Sequence, residues 1–328
     1  MTGHLTGHLR WGILGAANFA RKTMGPAIHA ASGCSLSAIA TSNPDKAAPF
    51  VAFAPGLRVY DSYDALLADP EIDAIYIPLP NAMHVDWSQK AAEAGKHVLC
   101  EKPIGMNVAE IDRLIDTRDR TGKLIAEAWM IVHHPQFAKA RALLQGGAIG
   151  DLVRVSSSHS FFNDDLENIR NRPDTGGGAT GDIGVYAFGS VRLLTGQDPE
   201  KILHASSDMV NGIDATTHVM ARFPGFVYSG HISMRAAPWQ EIVLHGTDGV
   251  IRMPVPYNAQ SFGQAEVELH RPGWHIETWR FPIQNHYVLQ VEAFNRAVLE
   301  GAGWPLPLEM SRSVQGFVDM IRDAAAQG

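Results

Sequence analysis

The sequence predicts an α/β fold in two parts: a Rossmann-type, doubly wound parallel sheet, then a second α/β domain with a mostly antiparallel, open sheet. The chain has 328 residues, about two domains at roughly 150 residues each. In its first part, short apolar runs alternate with amphipathic segments, as in parallel strands and their crossover helices. Farther on, strands follow one another at hairpin spacing, with turn signals at Pro224-Gly225 and Asp248-Gly249.

The elements follow from these patterns in chain order. Strands in the first part are predicted at 10–15, 35–41, 73–79, 97–100 and 124–130. Helices are predicted between them at 18–32, 45–54, 62–68, 82–94 and 108–121. The second part has predicted strands at 153–158, 216–223, 227–234, 241–245 and 266–270, and helices at 135–144, 179–194, 286–300 and 309–325. We expect a dinucleotide-binding domain over 1–125 and a substrate domain over 126–328, with the last helix, 309–328, a candidate to pack back on the first domain.

Composition narrows the class of protein. Lys and Arg number 27 against 34 Asp and Glu, a formal charge of −7, which disfavours non-specific binding to nucleic acid. No apolar run reaches the ~18 residues that span a bilayer, and the N-terminal residues lack the apolar stretch of a signal peptide, so we expect a cytoplasmic protein. Cys34 and Cys100 are interpreted as small buried hydrophobes. The adjacent His133 and His134 point apart on one element, and no metal site is predicted.

A relaxed dinucleotide fingerprint lies where the first strand meets the first helix. Gly15, Ala17 and Ala20 form the pattern G-x-A-x-x-A, close to G-x-G-x-x-G/A. The first residue suits the tight turn, the second the approach of a pyrophosphate, and the third helix packing on the strand. Asn18 and Phe19 then lie at the helix N-terminus, whose free N–H groups favour phosphates. We predict that these five residues contact a dinucleotide.

The end of the second strand distinguishes NADP from NAD. An acidic residue there would bind the ribose hydroxyls of NAD, but no carboxylate stands at this strand tip. Ser42 and Asn43 could hydrogen-bond a 2′-phosphate, and Lys46, Arg21 or Lys22 could add positive charge. The sequence therefore favours NADP, with NAD as the alternative.

Two further motifs carry chemistry. The triplet Glu101-Lys102-Pro103 follows the strand at 97–100, and ligands of open α/β sheets bind at the carboxyl ends of strands. A glycine-rich turn enters a helix at 176–186, and Asp182 and Tyr186, four residues apart, share one face of that helix. These side chains are the candidate catalytic groups.

The chain resembles the glucose–fructose oxidoreductase and inositol dehydrogenase (Gfo/Idh/MocA) family of NAD(P)-dependent enzymes. With Tyr at the end of its glycine-rich motif, it is most similar to the dihydrodiol dehydrogenase and aldose (xylose) 1-dehydrogenase branch. The matching residues are the turn after the first strand, Pro78-Leu79-Pro80-Asn81 with His84, Glu101-Lys102-Pro103, Glu127-Ala128-Trp129-Met130, Asn168-Ile169-Arg170 and the segment 176–186.

This resemblance implies hydride transfer between a nicotinamide and a carbinol carbon of a sugar, polyol or dihydrodiol. Tyr186 is the candidate acid/base, and Lys102 would lower the pKa of this phenol and steady the reacting oxygen; Lys102 as the proton carrier is the alternative. Asp182 would orient Lys102 or hold a substrate hydroxyl, and Arg170 is a further candidate for the substrate. The resemblance adds these candidate cofactor contacts: Pro78, Leu79, Pro80, Asn81, His84, Glu101, Lys102 and Trp129.

The substrate pocket is expected to differ from that of many relatives. Many relatives carry an aromatic residue and an arginine where this chain has Ile131 and Val132, so a more apolar substrate pocket is expected. A rival function is an NADP-binding sensor or regulatory subunit without turnover, which would be expected to lack Lys102 or Tyr186.

We also expect a homodimer through the exposed sheet face, because a broad apolar face seldom stays uncovered. The sequence does not identify the substrate.

Overall fold

The structure is a computed structural model that describes residues 7–327. The chain divides into two compact units, and each contains one β-sheet. The first unit comprises the chain up to Gly105, Ala109–His133 and Asn285–Arg312. The second comprises Met106–Val108, His134–Gln284 and the chain from Ser313 onward.

The first unit contains a six-stranded parallel sheet. Its strands are β1 (Leu9–Leu14), β2 (Cys34–Ala40), β3 (Arg58–Tyr60), β4 (Ala74–Ile77), β5 (His97–Glu101) and β6 (Ile125–Ala128). They lie in the order β3-β2-β1-β4-β5-β6, and every neighbouring pair is parallel. This order is that of the doubly wound Rossmann fold, which places the carboxyl ends of all six strands at one edge.

The second unit contains an eight-stranded sheet. Its strands are β7 (Leu152–Phe162), β8 (Lys201–Val210), β9 (Ile213–Phe223), β10 (Phe226–Ser233), β11 (Arg235–Gly246), β12 (Val250–Met253), β13 (Ala265–Arg271) and β14 (His275–Phe281). They lie in the order β14-β13-β12-β11-β7-β10-β9-β8. The β7–β10 pair is parallel and the other neighbouring pairs are antiparallel. The predicted α/β fold class, a Rossmann sheet plus a mostly antiparallel second sheet, is therefore confirmed.

The α-helices are α1 (Gly25–Ala30), α2 (Ala48–Phe53), α3 (Tyr63–Leu67), α4 (His84–Glu93), α5 (Val108–Thr121), α6 (Pro135–Gln145), α7 (Ala179–Asp182), α8 (Gly184–Thr195), α9 (His286–Glu300) and α10 (Leu308–Ala325). A π-helical turn, Ala20–Met24, precedes α1. Among residues 7–327, no helix combines the length and the apolar character that crossing a bilayer requires.

Helix α9 packs on the parallel sheet, although it follows the antiparallel strands in sequence. The Trp11 ring on β1 lies 4.8 Å from that of Phe294, and its indole N–H donates to Asn295 Oδ1 at 3.1 Å. The Asn295 amide in turn donates to the Ser32 carbonyl at 2.8 Å. Because Trp11 is fully buried, α9 completes the core of the first unit.

Helix α8 covers one face of the second sheet. The hydroxyls of Ser157 on β7 and Tyr228 on β10 donate to the Ala187 carbonyl at 2.8 and 3.0 Å. Phe317 of α10 packs edge-on against Phe223, with ring centroids 5.5 Å apart. These contacts fix α8, and with it Tyr186, relative to the strands beneath.

The sequence analysis missed four strands: the four-residue interior strand β12 and three edge strands. β3 is an edge of the first sheet, and β8 and β14 are the two edges of the second. Most side chains of β8 are exposed, so its sequence lacks the apolar run that marks a strand with two covered neighbours. Edge position explains why β3, β8 and β14 were missed, because periodicity does not show where a strand lies in its sheet. β12 has two neighbours and is only four residues long.

Three histidines are held in a low-dielectric environment. Burial lowers the pKa of His133 to about 3 and the pKa values of His97 and His134 to about 4. In the unfolded chain a histidine takes up its proton near pH ~6.5, so unfolding binds protons between that pH and pH ~4. We expect stability to fall as the pH is lowered through this window, by up to about 1.4 kcal/mol per pH unit for a fully buried histidine.

His97 allows a matched test of this pH dependence. Its Nδ1 accepts the Leu124 N–H at 3.0 Å, and His97→Asn keeps an acceptor while removing the titrating group. Urea unfolding midpoints of the variant should vary less than those of the wild type between pH 6.5 and 4, with similar midpoints at pH 8. Equal pH dependence of the two proteins would contradict the assignment.

Candidate active site

The turn after β1 requires a glycine. Gly15 has φ +94°, a region that side chains with a Cβ rarely adopt. A Cβ built there would lie 3.0 Å from Leu79 Cδ2 and 3.3 Å from the Tyr63 hydroxyl. The Gly15 N–H donates to the Ala40 carbonyl at 2.8 Å, which ties the turn to the end of β2. The turn is therefore a close-packed cradle at the carboxyl edge of the sheet.

The other fingerprint residues begin the first helical segment. The Arg21 N–H donates to the Ala17 carbonyl at 3.0 Å, and Ala20 is fully buried against the sheet. Asn18 and Phe19 are exposed, and the Phe19 ring lies edge-on to Tyr287 at 5.6 Å. Small residues thus face the core while larger ones face outward beside the glycine turn.

The predicted NADP-selecting residues are exposed just beyond β2. Ser42, Asn43 and Lys46 all lie on the surface there. The Asn43 side chain accepts the Asp45 N–H at 3.0 Å and caps the 3-10 turn Pro44–Lys46. Its amide group therefore shapes the loop, whereas the Ser42 hydroxyl and the Lys46 ammonium face solvent.

The segment 78–81 follows β4, and it leads into α4. Leu79 is buried against Gly15, while Pro78, Pro80 and Asn81 are half-buried. His84 is fully buried, with Nδ1 2.7 Å from the Pro103 carbonyl oxygen and Nε2 2.8 Å from that of Leu79. Both ring nitrogens of His84 thus face backbone carbonyl oxygens, and its contact with a cofactor stays a prediction. His84 lies between these two loops.

Lys102 follows β5 and is half-buried. The residues beside it are held by buried partners: the Tyr76 hydroxyl donates to Glu101 Oε1 at 2.6 Å, and the Ile104 N–H donates to Glu127 Oε1 at 3.1 Å. Burial raises the pKa of Glu127, whereas the Ile104 hydrogen bond and the Lys102 charge oppose that rise.

Trp129 is 1% exposed. Among residues 7–327 its indole N–H has no hydrogen-bond acceptor. A buried donor without an acceptor is costly. The glycine cradle and the exposed polar residues after β2 are compatible with a dinucleotide on the first unit.

The glycine-rich segment of the second unit serves close backbone packing. A Cβ at Gly177 would lie 2.6 Å from the Arg170 carbonyl oxygen, and one at Gly178 would lie 2.2 Å from Asp214 Oδ1. The Gly178 N–H donates to the Arg170 carbonyl at 2.9 Å, and Asp214 accepts the Thr180 N–H at 2.6 Å at the start of α7. The glycines thus let the loop that carries Arg170 lie against the helix entrance.

This packing pairs Arg170 with Asp182. Arg170 Nε donates to Asp182 Oδ2 at 2.6 Å, with side chains 41% and 14% exposed. The sequence predicted both residues for the substrate, and the structure brings them together. The guanidinium keeps further N–H donors beyond Nε, so the pair offers donors and acceptors of the kind that bind vicinal hydroxyls.

Tyr186, on α8 one turn beyond Asp182, lies in an aromatic cluster. Its ring is 7% exposed and is 5.5 Å from His159 on β7 and 5.7 Å from Tyr257. His159 and Tyr257 are themselves 4.8 Å apart. The cluster restricts the phenol to one orientation.

Sequence reasoning missed Tyr63, Glu127, His159 and Tyr257. The alternation of β7 could have indicated His159, because it falls on the same face as Val155 and Ser157. Glu127 belongs to a motif that supported the family resemblance, but its contact with Ile104 depends on the neighbouring strand. Among residues 7–327, no three His, Cys, Asp or Glu side chains are grouped as they would be around a metal ion.

Comparisons with known proteins bear on both units. Residues 9–128 match the model of the oxidoreductase family with an NAD-binding Rossmann fold (Gfo/Idh/MocA), and residues 137–252 match a C-terminal domain of the same family. An uncharacterized oxidoreductase from Rhizobium meliloti is 38% identical over 98% of each chain. A D-xylose 1-dehydrogenase (NADP(+)) from Haloferax volcanii is 34% identical, again over 98% of each.

A solved structure is similar along nearly the whole chain. It is a 3-ketoreductase from Actinomadura kijaniata in complex with NADP and TDP-benzene, with a TM-score of 0.90 and 29% identity over 97% of this chain and 98% of that one. With the relatives above, it defines the class of protein: an NAD(P)-dependent oxidoreductase that acts on CH–OH or keto groups. The chain belongs to the Gfo/Idh/MocA oxidoreductase family, which confirms the resemblance found in the sequence.

Proposed function

We propose that this protein is an NADP-dependent dehydrogenase or reductase of a sugar, polyol or dihydrodiol. The catalytic groups of this proposal are Lys102 and Tyr186, both acting on the substrate hydroxyl. The observation that carries the proposal is that both groups are present and each is held by its surroundings. The Lys102 loop is anchored at Glu101 and Ile104, and the Tyr186 ring is wedged between His159 and Tyr257.

The proposed acid–base step concerns the substrate hydroxyl. A bound nicotinamide supplies the hydride acceptor at the carbinol carbon. As the C–H bond breaks, the Tyr186 phenolate takes the hydroxyl proton, and the Lys102 ammonium donates a hydrogen bond to the same oxygen. In the direction of reduction, Tyr186 returns that proton to the oxygen. A phenol with an ordinary pKa of ~10 needs a nearby cation to work at neutral pH, and Lys102 is proposed as that cation.

The Arg170–Asp182 pair is proposed to hold the rest of the substrate. Asp182 lies one helical turn before Tyr186, and its carboxylate is fixed by the 2.6 Å contact with Arg170. A carboxylate accepts from hydroxyls while a guanidinium donates to them, so the pair suits a diol. Exposure of Arg170 leaves room for a substituent on that diol.

NADP is proposed over NAD on the basis of the loop after β2. Its exposed side chains include a hydroxyl at Ser42 and an ammonium at Lys46 next to Asp45, and no carboxylate stands at the strand tip itself. These groups suit a 2′-phosphate, and both the xylose dehydrogenase and the ketoreductase described above are named with NADP. The ratio of kcat/KM for the two coenzymes measures the preference directly.

Tyr63 is a further proposed contact of the coenzyme. Its hydroxyl lies at the Gly15 turn, and its ring is held edge-on against Trp87 with centroids 4.9 Å apart. Tyr63→Phe should raise the Kd for NADPH about 10-fold, because a hydrogen bond to a charged group contributes roughly 1.5 kcal/mol or more. Fluorescence titration would measure this, with kcat at saturation almost unchanged.

Tyr60→Phe is the matched control for Tyr63→Phe. The Tyr60 hydroxyl donates to Asp69 at 2.7 Å and lies outside the proposed site, so its loss should leave the Kd for NADPH unaltered. An unchanged Kd in Tyr63→Phe would remove Tyr63 from the coenzyme site.

The proposed function is tested with a substrate panel. Aldoses, inositols and trans-dihydrodiols are offered with NADP⁺ and NAD⁺, and ketosugars with NADPH and NADH, while absorbance of the reduced coenzyme is followed. Turnover of at least one class, faster with the phosphorylated coenzyme, is expected. Tight NADPH binding without turnover would instead identify a sensor or regulatory subunit, and absence of binding would contradict both functions.

A homodimer through the open sheet face is also proposed. A row of side chains crosses this face in register: Ser206, His218, His231, Ser158 and Glu241. This row is polar, while the same strands also carry exposed apolar side chains, among them Met220 on β9 and Trp239 on β11. His218 and His231 are stacked at 4.6 Å. Light scattering after size exclusion would determine whether the protein is dimeric and whether His218→Glu abolishes association.

A further inference from the structure

One peptide group next to Lys102 is held from both sides by buried side chains. The Pro103 carbonyl oxygen lies 2.7 Å from His84 Nδ1, and the Ile104 N–H donates to Glu127 Oε1 at 3.1 Å. These two atoms belong to the same peptide bond, which joins Pro103 to Ile104. The imidazole comes from the start of α4 and the carboxylate from β6, the strand beside β5, which Lys102 follows.

Both side chains are taken fully out of water for this contact. His84 is 0% exposed and Glu127 is 3% exposed. Burying an imidazole and a carboxyl in a Rossmann core is unfavourable unless each is hydrogen-bonded, and a turn at the sheet edge could leave its peptide groups to solvent. The position of this peptide is therefore constrained more tightly than the fold itself requires.

The second ring nitrogen of His84 lies against a carbonyl of the proposed coenzyme site, although a neutral imidazole has one N–H to donate to either carbonyl. His84 Nε2 lies 2.8 Å from the carbonyl oxygen of Leu79, and Leu79 packs against the Gly15 turn. Ahead of Lys102, the Tyr76 hydroxyl holds Glu101 at 2.6 Å. The residues on both sides of Lys102 are thus fixed through neighbouring strands and through the turn proposed to bind the dinucleotide.

We infer that His84 and Glu127 are positioning residues that set the location of the Lys102 ammonium by clamping the Pro103–Ile104 peptide. The inference rests on the proposed catalytic role of Lys102. Neither residue exchanges a proton with substrate; both act through the backbone. Because displacement by about 1 Å can cost up to 100-fold in rate, loosening this peptide should lower kcat while coenzyme affinity is retained.

The test compares two substitutions at one position. Glu127→Gln keeps an oxygen that accepts the Ile104 N–H, whereas Glu127→Leu fills similar volume and removes the acceptor. We expect kcat at saturating substrate to fall at least about 10-fold in Glu127→Leu and to stay within about 3-fold of wild type in Glu127→Gln, with the Kd for NADPH nearly constant in both. His84→Asn and His84→Leu repeat the comparison on the carbonyl side, and they decide the question if Glu127→Leu does not fold.

Ser88→Ala is the matched control, since Ser88 lies fully buried one turn after His84 on α4. It should leave kcat unchanged. Hydrogen–deuterium exchange of the segment 102–106 provides a readout that does not depend on catalysis. Exchange there should be faster in Glu127→Leu than in wild type and should stay unchanged in Glu127→Gln.

Three results would overturn the inference: wild-type kcat in Glu127→Leu, equal impairment of Glu127→Gln and Glu127→Leu, or loss of NADPH binding along with kcat. Failure of the proposed function looks different. In that case wild type turns over no substrate of the panel, or Lys102→Ala retains activity, whereas the exchange experiment still reports whether the peptide is clamped.

Discussion

Replacing Lys102 by alanine is expected to lower kcat at least about 100-fold. In the proposed mechanism the Lys102 ammonium stabilises negative charge on the substrate oxygen and lowers the pKa of the acid/base that takes the proton. Alanine can do neither. Steady-state kinetics with the best substrate of the panel measure the loss. The Kd for NADPH should change little, because the glycine turn and the loop after β2 carry most of the proposed coenzyme contacts.

Two further lysine variants make this result specific. Lys102→Arg keeps the positive charge but not its point-like geometry, so it should retain more activity than alanine and less than wild type. Lys201→Ala removes an exposed lysine from the edge strand β8 and should leave kcat unaltered. Activity of Lys102→Ala within about 3-fold of wild type would exclude Lys102 from the chemistry.

The sequence predicts the parallel sheet well because its strands are buried on both faces. Runs such as Ala74–Ile77, in which every residue is buried, are the short continuous apolar stretches typical of strands covered on both faces. The edge strands β3, β8 and β14 have one neighbour and mostly half-buried or exposed side chains, and their sequences resemble loops. The position of α9 was not predictable for another reason. Its apolar stripe requires a covering surface, but the period of that stripe is the same whether it faces the first sheet or the second.

Within the candidate site, sequence motifs predict the backbone geometry of their own turns but not the distant residues that those turns contact. The glycine fingerprint predicts a strained turn, and Gly15 has the required positive φ. The glycines at 176–178 indicate a tight helix entrance. They are needed because a Cβ at Gly177 would lie within 2.7 Å of the carbonyl oxygens of Arg170 and Arg172. Those carbonyls belong to a loop that folds back, which the local motif does not show.

His84 shows the limit of carrying a motif over by position. A histidine near a cofactor loop suggests contact with the cofactor, but the sequence does not show that its two ring nitrogens lie against two backbone carbonyl oxygens. Burial and hydrogen-bond partners belong to tertiary structure, so a sequence motif marks that the residue matters and leaves its physical role undefined.

Tyr186→Phe is expected to lower kcat about 100-fold, because phenylalanine preserves the ring packing and removes only the oxygen that carries the proton. The cluster with His159 and Tyr257 should hold the new ring in place, so KM should change far less than kcat. Tyr257→Phe provides the comparison within the same cluster. Its hydroxyl is buried and has no hydrogen-bond partner among residues 7–327, and losing it should cost less than about 5-fold in kcat.

Comparing Tyr186→Phe with Lys102→Ala and the double variant decides which group carries the proton. If Tyr186 is the acid/base and Lys102 acts on it and on the same oxygen, the two losses overlap and the double variant is scarcely slower than the worse single variant. The pH dependence of kcat/KM should then lose its ionisation in Tyr186→Phe. If Lys102 carries the proton instead, that ionisation persists in Tyr186→Phe and disappears in Lys102→Ala. Strictly multiplicative losses would mean that the two side chains serve different steps, because groups that act on one oxygen in one transition state cannot contribute independently.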